Sequence, residues 1–341
     1  MALRPSQSSP VLQSQPSSLP VSPAAPQSPP PTSVLLPTVR WTDACEEVAA
    51  QLRRGGDGAR DAGDELLVIC DTADDSVADR RDDAPDGVRI VLAGEPEGCS
   101  GKANAIAAGM RAASHDRIVW TDDDFRHPPD WLDALHADYE RRGPTTEVPV
   151  FVGLDPLARL LEPAYAVGGT AAVAVGGIAW GGAVVFERDD LRDGEAAFLA
   201  DLKRTVSDDG TLSEHLDVTA ADRTRTVPAG GSIRGSLERF VRFFQILRYH
   251  APRAAAFNVG LSVAFTALCL LAPLFGVTLA TAISGAVYAR FGIRRATFLL
   301  AGPAVLCSPA LIAYALARET FVWGGRRYRW RSLFDVAVED V

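Results

Sequence analysis

Three consecutive aspartates, Asp122–Asp124, directly follow the apolar run Arg117–Thr121. If the chain stays extended after that run, Asp122 and Asp124 face the same side and can share a pocket. Two carboxylates leave coordination positions open for phosphate oxygens and water, a ligand set that suits Mg²⁺ or Mn²⁺. The alternative is a solvated turn, but neighbouring carboxylates repel one another unless a cation offsets their charge. We therefore predict a metal site at Asp122 and Asp124.

Two other segments carry groups that could act with this site. Gly98–Asn104 has the sequence GCSGKAN, but Pro96 and Ala103 stand where a nucleotide-binding P-loop requires Gly and Ser or Thr. A Gly-rich turn that places Lys102 at the start of a helix can still contact a phosphate through backbone amides and charge. Lys102 is therefore a candidate donor-binding residue, whereas Asp208–Asp209 taken alone is typical of a surface turn.

The elements that must position these residues alternate between strands and helices. Strands are predicted at Val34–Thr38, Glu65–Asp71, Val88–Leu92 and Arg117–Thr121, with helices at 44–54 and 103–113. This alternation predicts βαβ units and a mainly parallel sheet in an α/β fold. Ligands of such sheets bind at the carboxyl ends of the strands. Asp71 and Asp122–Asp124 both lie at predicted strand ends.

The charge is unevenly distributed along the chain. The net charge of −9 is the balance of +1 for residues 1–33, −18 for residues 34–228 and +8 for residues 229–341. Because the acidic part has no basic stripe, it is not a nucleic-acid binder. Five cysteines without close pairs exclude a secreted disulfide scaffold. Residues 1–33 contain nine Pro, nine Ser and no acidic residue, which predicts a disordered tail.

The basic part contains two long uncharged runs. Residues 254–289 hold no charged residue over 36 positions, and residues 296–317 hold none over 22. As a helix the second run measures about 33 Å, enough to cross the hydrocarbon core of a bilayer. The first run has room for one crossing near 257–275 and a shorter segment near 277–288. We expect membrane helices within residues 254–320, two or three in number.

The composition of the segments beside these runs also predicts their structure. Residues 236–253, rich in Arg and Phe, predict an amphipathic helix at the membrane surface, and residues 321–341 predict a basic, polar tail. The uncharged run 163–186 contains six glycines and favours buried strand and loop over a crossing. Basic groups at Arg290–Arg295 and Arg326–Arg331 both look cytoplasmic, yet they flank a single predicted crossing.

The features occur in a specific order along the chain. They are the strand ending at Asp71, the Gly-Lys-Ala-Asn segment around Lys102, Asp122-x-Asp124, a Gly-rich segment at Trp180–Ala183, Asp208–Asp209, and Gln245-x-x-Arg248 before the uncharged runs. This order resembles the membrane-bound family 2 glycosyltransferases, and within them the ceramide glucosyltransferase-like branch. The Asp-x-Asp motif alone is weak, whereas the ordered set is much more specific. The resemblance covers about residues 34–330.

The resemblance implies a GT-A-type, Rossmann-like nucleotide-sugar domain over residues 34–235 and a role for each matching residue. Asp71 would contact the donor's base, with Asp74 or Asp75 as competing choices. Asp122 and Asp124 would hold the metal and the diphosphate, and Asp209 would be the catalytic base. The acceptor side would be formed by Trp180, Gly181, Gly182, Gln245 and Arg248. Tyr249 replaces the usual Trp of the Gln-x-x-Arg-Trp motif, which leaves acceptor and processivity open.

These residues together predict a metal-dependent, inverting glycosyltransferase. It would move a hexose from a UDP- or GDP-linked donor to a lipid or lipid-linked acceptor. We expect a multi-pass protein of the cell membrane with its catalytic domain on the cytoplasmic side. One alternative is a polyprenyl-phosphate sugar synthase, in which a phosphate acceptor has less need of a strong base. Another, of a different class, is a non-catalytic membrane-anchored scaffold that binds cations.

Overall fold

The computed structural model describes residues 30–54 and 63–340. The predicted disordered tail, residues 1–33, lies outside these ranges except for its last four positions. Thr32 and Ser33 already belong to the first strand, where Ser33 pairs with Glu65 of the next strand. The first strand therefore begins two residues earlier than predicted.

A seven-stranded sheet forms the centre of the domain that precedes the C-terminal helices. Its strands are β1 (Thr32–Pro37), β2 (Glu65–Cys70), β3 (Val88–Leu92), β4 (Arg117–Thr121), β5 (Thr145–Gly153), β6 (Ala183–Glu187) and β7 (Thr219–Ala229). Their order across the sheet is β3-β2-β1-β4-β6-β5-β7. Every neighbouring pair is parallel except those of β6, which runs antiparallel to β4 and β5. The predicted α/β, GT-A-like fold with a mostly parallel sheet is confirmed.

Helices cover both faces of this sheet. They are α1 (Asp43–Arg54), α2 (Gly101–Ala112), α3 (Trp131–Arg142), α4 (Pro156–Tyr165), α5 (Ala171–Gly176), α6 (Gly194–Leu202) and α7 (Asp208–His215). Val34 and Leu36 of β1 pack with α1 and α3 on one face, while Leu35 packs with α2 and α6 on the other. Strands buried on both faces are apolar throughout rather than alternating. That is why these strands were recognisable in the sequence.

The Gly-rich run 163–186 differs from its prediction. Instead of strand and loop it continues α4 through a π-helical turn, Ala166–Thr170, into α5, and only Ala183–Glu187 forms a strand. Pro163, Ala166 and Val173 of this segment are buried. Burial of this helical face outweighs the low helix propensity of its glycines.

The C-terminal part begins with four helices. They are α8 (Ile233–His250), α9 (Pro252–Leu271), α10 (Pro273–Arg290) and α11 (Ala301–Leu316), the last preceded by a 3₁₀ turn, Ala296–Leu300. The first uncharged run breaks at Ala272, where Pro273 starts a new helix. Two segments, Pro252–Leu271 and Ala296–Leu316, are long and apolar enough to cross a membrane, with mean hydropathies of 2.0 and 1.9. This is weak support for membrane association.

The predicted C-terminal tail, residues 321–341, is instead a folded antiparallel sheet. Its strands are β8 (Thr320–Trp323), β9 (Arg326–Ser332) and β10 (Asp335–Asp340). Tyr328 and Trp330 point inward and are at most 2% exposed, while arginines alternate with them. Two glycines with φ of 58° and 78° form the tight turn between β8 and β9. This period-two alternation of aromatic residues with arginines is typical of a strand.

Candidate active site

A cavity of about 450 Å³ lies at the carboxyl ends of β1, β2 and β4. The start of α2, the start of α7, one face of α8 and the β8–β9 turn complete its walls. Among the residues predicted from sequence, those lining it are Asp71, Lys102, Asp122, Asp124, Trp180 and Asp209. Parallel sheets bind ligands at this edge. The structure thus brings most of the predicted site residues to one place.

Lys102 joins two of the acidic segments. Its Nζ lies 2.7 Å from Asp122 Oδ1 and 3.1 Å from Asp208 Oδ2. Burial disfavours the charged ammonium, but Asp122 and then Asp208 outweigh that effect and hold the pKa of Lys102 well above its usual range. Lys102 therefore stays charged, and links the end of β4 to the start of α7.

Asp209 is positioned by the Gly-rich segment before β6. The backbone N–H of Gly181 donates a hydrogen bond of 2.8 Å to Asp209 Oδ1. Ser207 caps α7, its Oγ accepting from the N–H of Gly210 at 3.0 Å. Burial, followed by the charge of Asp208, raises the pKa of Asp209 to about 8. A carboxylate held in this way is a stronger base than one in water.

A side chain at position 181 would crowd the carboxylates of Asp208 and Asp209. A Cβ there would lie 2.5 Å from Asp209 Oδ1 and 2.9 Å from Asp208 Oδ2. We expect Gly181→Ala to displace the Asp209 carboxylate and lower turnover about 100-fold, because small misplacements of reacting groups are costly. Steady-state transfer assays measure the effect. Gly176→Ala is the control, since a Cβ at that exposed position meets no atom closer than 3.4 Å; equal activity of the two variants would contradict this role for Gly181.

The acidic residues suit a divalent cation. Burial and then the charge of Asp122 raise the pKa of Asp124 to about 6, and a divalent cation would offset the repulsion between these carboxylates. Within the described part of the chain, no three His, Cys, Asp or Glu side chains form a ready-made ligand cluster. Mg²⁺ is often held by one or two carboxylates, with substrate phosphates completing the set. Asp122 and Asp124 fit that incomplete kind of site.

His127 supports the loop that follows these aspartates. The Thr121 hydroxyl donates to the carbonyl of Gly182 at 3.0 Å and therefore accepts from His127 Nε2, 2.6 Å away. The backbone N–H of His127 donates to Glu47 Oε2 at 2.7 Å. Burial, with Arg225 and Arg126 adding to it, lowers the pKa of His127 to about 3. The neutral imidazole thus ties the end of β4 to the Gly-rich segment.

This histidine gives a prediction for acid stability. Because its pKa is about 6.5 when unfolded and about 3 when folded, the unfolded state binds more protons between these values. The free energy of unfolding should therefore fall as pH drops from 6.5 towards 3, with a slope from this group of up to about 1.4 kcal/mol per pH unit. Urea titrations across this range test it. His127→Gln should flatten the dependence; an unchanged slope in this variant would contradict the assignment.

The choice among Asp71, Asp74 and Asp75 follows from their contacts. Asp75 Oδ2 accepts from the backbone N–H groups of Asp71 and Thr72, both at 2.9 Å, so it shapes the loop. Asp74 is exposed. Asp71 is 7% exposed and lines the cavity. The geometry favours Asp71 as the carboxylate available to a substrate.

Of the predicted acceptor side, only Trp180 lines the cavity, whereas Gly181, Gly182, Gln245 and Arg248 do not. Gln245 is buried and its Nε2 donates to the carbonyl of Arg318 at 2.7 Å. Arg248 is exposed, beside Tyr249. The cavity is lined instead by Arg239, Arg242 and Phe243, one to two turns earlier on α8. These three residues have the same spacing as Gln245, Arg248 and Tyr249 but lie six residues earlier in the chain. The sequence therefore contained a signal for them.

Residues 42–156 match the family model of Glycosyl transferase family 2. The matched range includes Asp71, Lys102, Asp122 and Asp124. No curated protein matches the sequence.

Several solved structures are similar to the chain. Glucosyl-3-phosphoglycerate synthase from Mycobacterium tuberculosis, in complex with phosphoglyceric acid, is 17% identical over 63% of this chain and 79% of that one, with a TM-score of 0.40. The same synthase in complex with Mn²⁺, UDP-glucose and phosphoglyceric acid has 17% identity, the same coverage and a TM-score of 0.39. A mannosyltransferase from Pyrobaculum calidifontis, in complex with GDP-mannose and Mn²⁺, has 18% identity over 87% of this chain and 88% of that one, with a TM-score of 0.43.

Proposed function

We propose that this chain, a glycosyltransferase with a family 2 domain, moves a hexose from a UDP- or GDP-linked donor to a membrane lipid with inversion at the anomeric carbon. The observation that carries the proposal is that Asp122, Asp124 and Asp209 line one cavity at the carboxyl edge of the sheet. Two of these carboxylates suit a metal-bound diphosphate, and the third is a base of raised pKa. The metal held by the first two would offset the charge of the departing diphosphate, and the third would accept the proton of the attacking hydroxyl.

The donor side is formed by Asp122, Asp124 and Lys102. When bound, Mg²⁺ or Mn²⁺ at these two aspartates would offset the negative charge that develops on the departing nucleotide diphosphate. Lys102, held charged at 2.7 Å from Asp122 Oδ1, adds a fixed positive charge to the same region. We infer that the three side chains orient the diphosphate.

The acceptor side is formed around Asp209. Direct displacement at the anomeric carbon requires the acceptor hydroxyl to lose a proton as it attacks. Asp209 is the proposed general base, and the N–H of Gly181 fixes the orientation of its carboxylate. Trp180, a further cavity residue, lies on this side. Attack from the face opposite the diphosphate gives inversion.

A lipid acceptor is supported by the helices beside the domain. A second, mainly apolar cavity of about 270 Å³ lies between α4, α9, α10 and α11. Large apolar side chains are exposed at the α9–α10 turn, with Leu271 and Leu274 each 87% exposed. Exposed apolar surface of this kind marks a membrane or partner surface. We therefore propose that these helices hold the protein in the cell membrane and that the cavity receives the lipid chain.

The two basic groups both contact the catalytic domain. Arg295, after α10, binds Glu162 of α4 at 2.8 and 2.9 Å, and Arg326, after α11, binds Asp71 at 2.5 Å. This supports placing both groups on the cytoplasmic side with the catalytic domain, in agreement with the positive-inside rule. The run 296–317, whose two ends carry these groups, would then not cross the bilayer, and α9 and α10 would enter it together as a hairpin.

Two cavity arginines favour a second candidate, a polyprenyl-phosphate sugar synthase. Among the described residues, Arg239 and Arg242 form no ion pair, and Arg239 Nε is buried without a hydrogen-bond partner. Burial lowers the pKa of both guanidinium groups, that of Arg242 to about 10. Buried charges are normally paired, so an anionic substrate would complete this environment. A lipid phosphate has the required charge.

This second candidate leads to a prediction. Arg242→Gln should raise the KM for a lipid-phosphate acceptor about tenfold, since a hydrogen bond to a charged group contributes about 1.5 kcal/mol or more. UDP binding, measured by calorimetry, should stay near wild type. Arg248→Gln, on the exposed side of the same helix, is the control. Weaker UDP binding in Arg242→Gln would place the arginine on the donor side instead.

The decisive experiment identifies the lipid product. Detergent-solubilised protein is incubated with UDP-glucose or GDP-mannose, Mn²⁺ and a lipid extract, and the lipids are analysed by mass spectrometry. We expect a lipid that gains one hexose; a phosphate in that lipid would select the second candidate. If neither transfer nor donor hydrolysis occurs with any common donor, the enzyme proposal fails in favour of a cation-binding scaffold.

A further inference from the structure

The hairpin formed by β8 and β9 returns to the donor side of the catalytic domain. Its turn follows Trp323, which pairs with Arg326 across Gly324 and Gly325. Trp323, Gly324, Arg326 and Tyr328 all line the main cavity. The hairpin lies outside the matched range 42–156, and the sequence placed it in a polar tail.

Arg326 joins two acidic side chains at the edge of the cavity. Its Nη1 donates to Asp71 Oδ2 at 2.5 Å and its Nη2 to Glu95 Oε2 at 2.6 Å. The Arg326 side chain is 19% exposed and that of Asp71 is 10% exposed, so the pair is largely shielded from water. Such charge-assisted bonds fix the position of both partners.

Tyr328 adds a contact at the start of α2. The N–H of Gly101, one of the first amides of this 12-residue helix, donates to Tyr328 Oη at 3.1 Å. A Cβ at Gly101 would lie 3.3 Å from Arg326 Nη1 and 3.7 Å from Tyr328 Oη. The start of α2, the end of β2 and the β8–β9 hairpin are therefore in contact with one another.

The base of the hairpin is firmly anchored. Phe321, Tyr328 and Trp330 are buried in a cluster with Val241 and Phe244 of α8. The N–H of Val322 donates to Glu238 Oε2 at 3.1 Å, and the Tyr249 hydroxyl donates to the carbonyl of Trp330 at 2.9 Å. These contacts fix the position of the hairpin tip, which lies beside Asp71.

We propose that Arg326 is a positioning residue for the nucleotide: it holds the Asp71 carboxylate in the orientation that accepts a hydrogen bond from the nucleobase. This rests on the proposed function, in which Asp71 contacts the donor's base. Arg326 engages only Oδ2, and among the described residues Asp71 Oδ1 makes no hydrogen bond. That oxygen remains available to a ring N–H.

The chemistry of the carboxylate limits the base. An ionised carboxylate only accepts hydrogen bonds, so it selects a base that presents a ring N–H. Uracil at N3 and guanine at N1 do so, while the ring nitrogens on the pairing edges of adenine and cytosine are acceptors. The arrangement therefore predicts tighter binding of UDP or GDP than of ADP or CDP.

Calorimetric titration of the full-length protein with UDP, GDP, ADP and CDP in the presence of Mg²⁺ tests this proposal. We expect Arg326→Ala to raise the Kd of the preferred nucleotide about tenfold, with kcat at saturating donor near wild type. Arg327→Ala is the control, because it removes the same charge from the next position on β9 and that residue does not line the cavity. Tyr328→Phe removes one hydroxyl and gives a second, milder variant should Arg326→Ala fold poorly.

A double-mutant cycle separates positioning from a merely structural effect. If Arg326 acts through Asp71, Arg326→Ala should have little further effect on nucleotide affinity in an Asp71→Asn background. Additive losses, or a wild-type Kd in Arg326→Ala, would overturn the inference while leaving the proposed function intact. Wild-type protein that binds none of the four nucleotides would overturn both.

Discussion

Asp209→Asn is expected to lower the turnover number about 10³-fold while leaving nucleotide binding near wild type. The amide keeps the size of the carboxylate but cannot accept the acceptor's proton, and general-base catalysis contributes about 10² to 10⁴ in rate. The wild-type carboxylate has a pKa raised to about 8 by burial and then by Asp208. Because the base must be ionised, kcat/KM should rise with pH through that pKa and fall below it.

Two comparisons make this prediction specific. Asp217→Asn, at a side chain 90% exposed, removes a charge from the same part of the chain and should be without effect. The residual activity of Asp209→Asn should lack the rise with pH, since the titrating group is gone. Weakened UDP binding in this variant would instead move Asp209 to the donor site, and unchanged turnover would exclude it as the base.

The second large effect is expected from loss of the metal site. Chelation with EDTA should abolish transfer, and added Mn²⁺ should restore it, because the charge of the departing diphosphate then has no divalent partner. Asp124→Asn should lower kcat/KM by about 10² or more and raise the Mn²⁺ concentration needed for half-maximal rate. Transfer rates measured across a Mn²⁺ titration check both.

Asp123, which lies between Asp122 and Asp124 in the chain, provides a matched control. Asp123 Oδ2 accepts from the Thr38 hydroxyl at 2.6 Å, a contact that an asparagine oxygen can keep. Asp123→Asn should therefore retain near-normal metal dependence. Full activity of wild-type protein in EDTA, or equal effects of the two substitutions, would contradict a site built on Asp122 and Asp124.

The helical register of α8 shows where sequence interpretation reached its limit. Two segments of this helix share one pattern, in which an Arg or Gln is followed three positions later by Arg and then by an aromatic residue. They are Arg239–Phe243 and Gln245–Tyr249. Which of them meets the cavity depends on how the helix is rotated against the domain. Burial of Val241, Phe244 and Gln245 decides that rotation, and it turns Arg239 and Arg242 towards the aspartates.

Lys102 is a second residue whose contacts the sequence did not specify. The sequence placed it at a helix start beside a substrate phosphate, and the structure does place it at the start of α2 in the cavity wall. Its partners are Asp122 and Asp208, 20 and 106 positions away in the chain. The contact arises because the end of β4 and the start of α7 converge at the carboxyl edge of the sheet.

By itself, the sequence determined the alternating strands and helices, the acidic groups at strand ends and the apolar C-terminal helices. These depend on the period and polarity of residues a few positions apart, which local backbone geometry converts directly into structure. Only the tertiary structure decided which arginines enter the cavity and where the sheet of residues 320–340 packs. It also brought Arg326 to Asp71, 255 positions away. Contacts of that range follow from how buried surfaces pack together, and no local pattern specifies them.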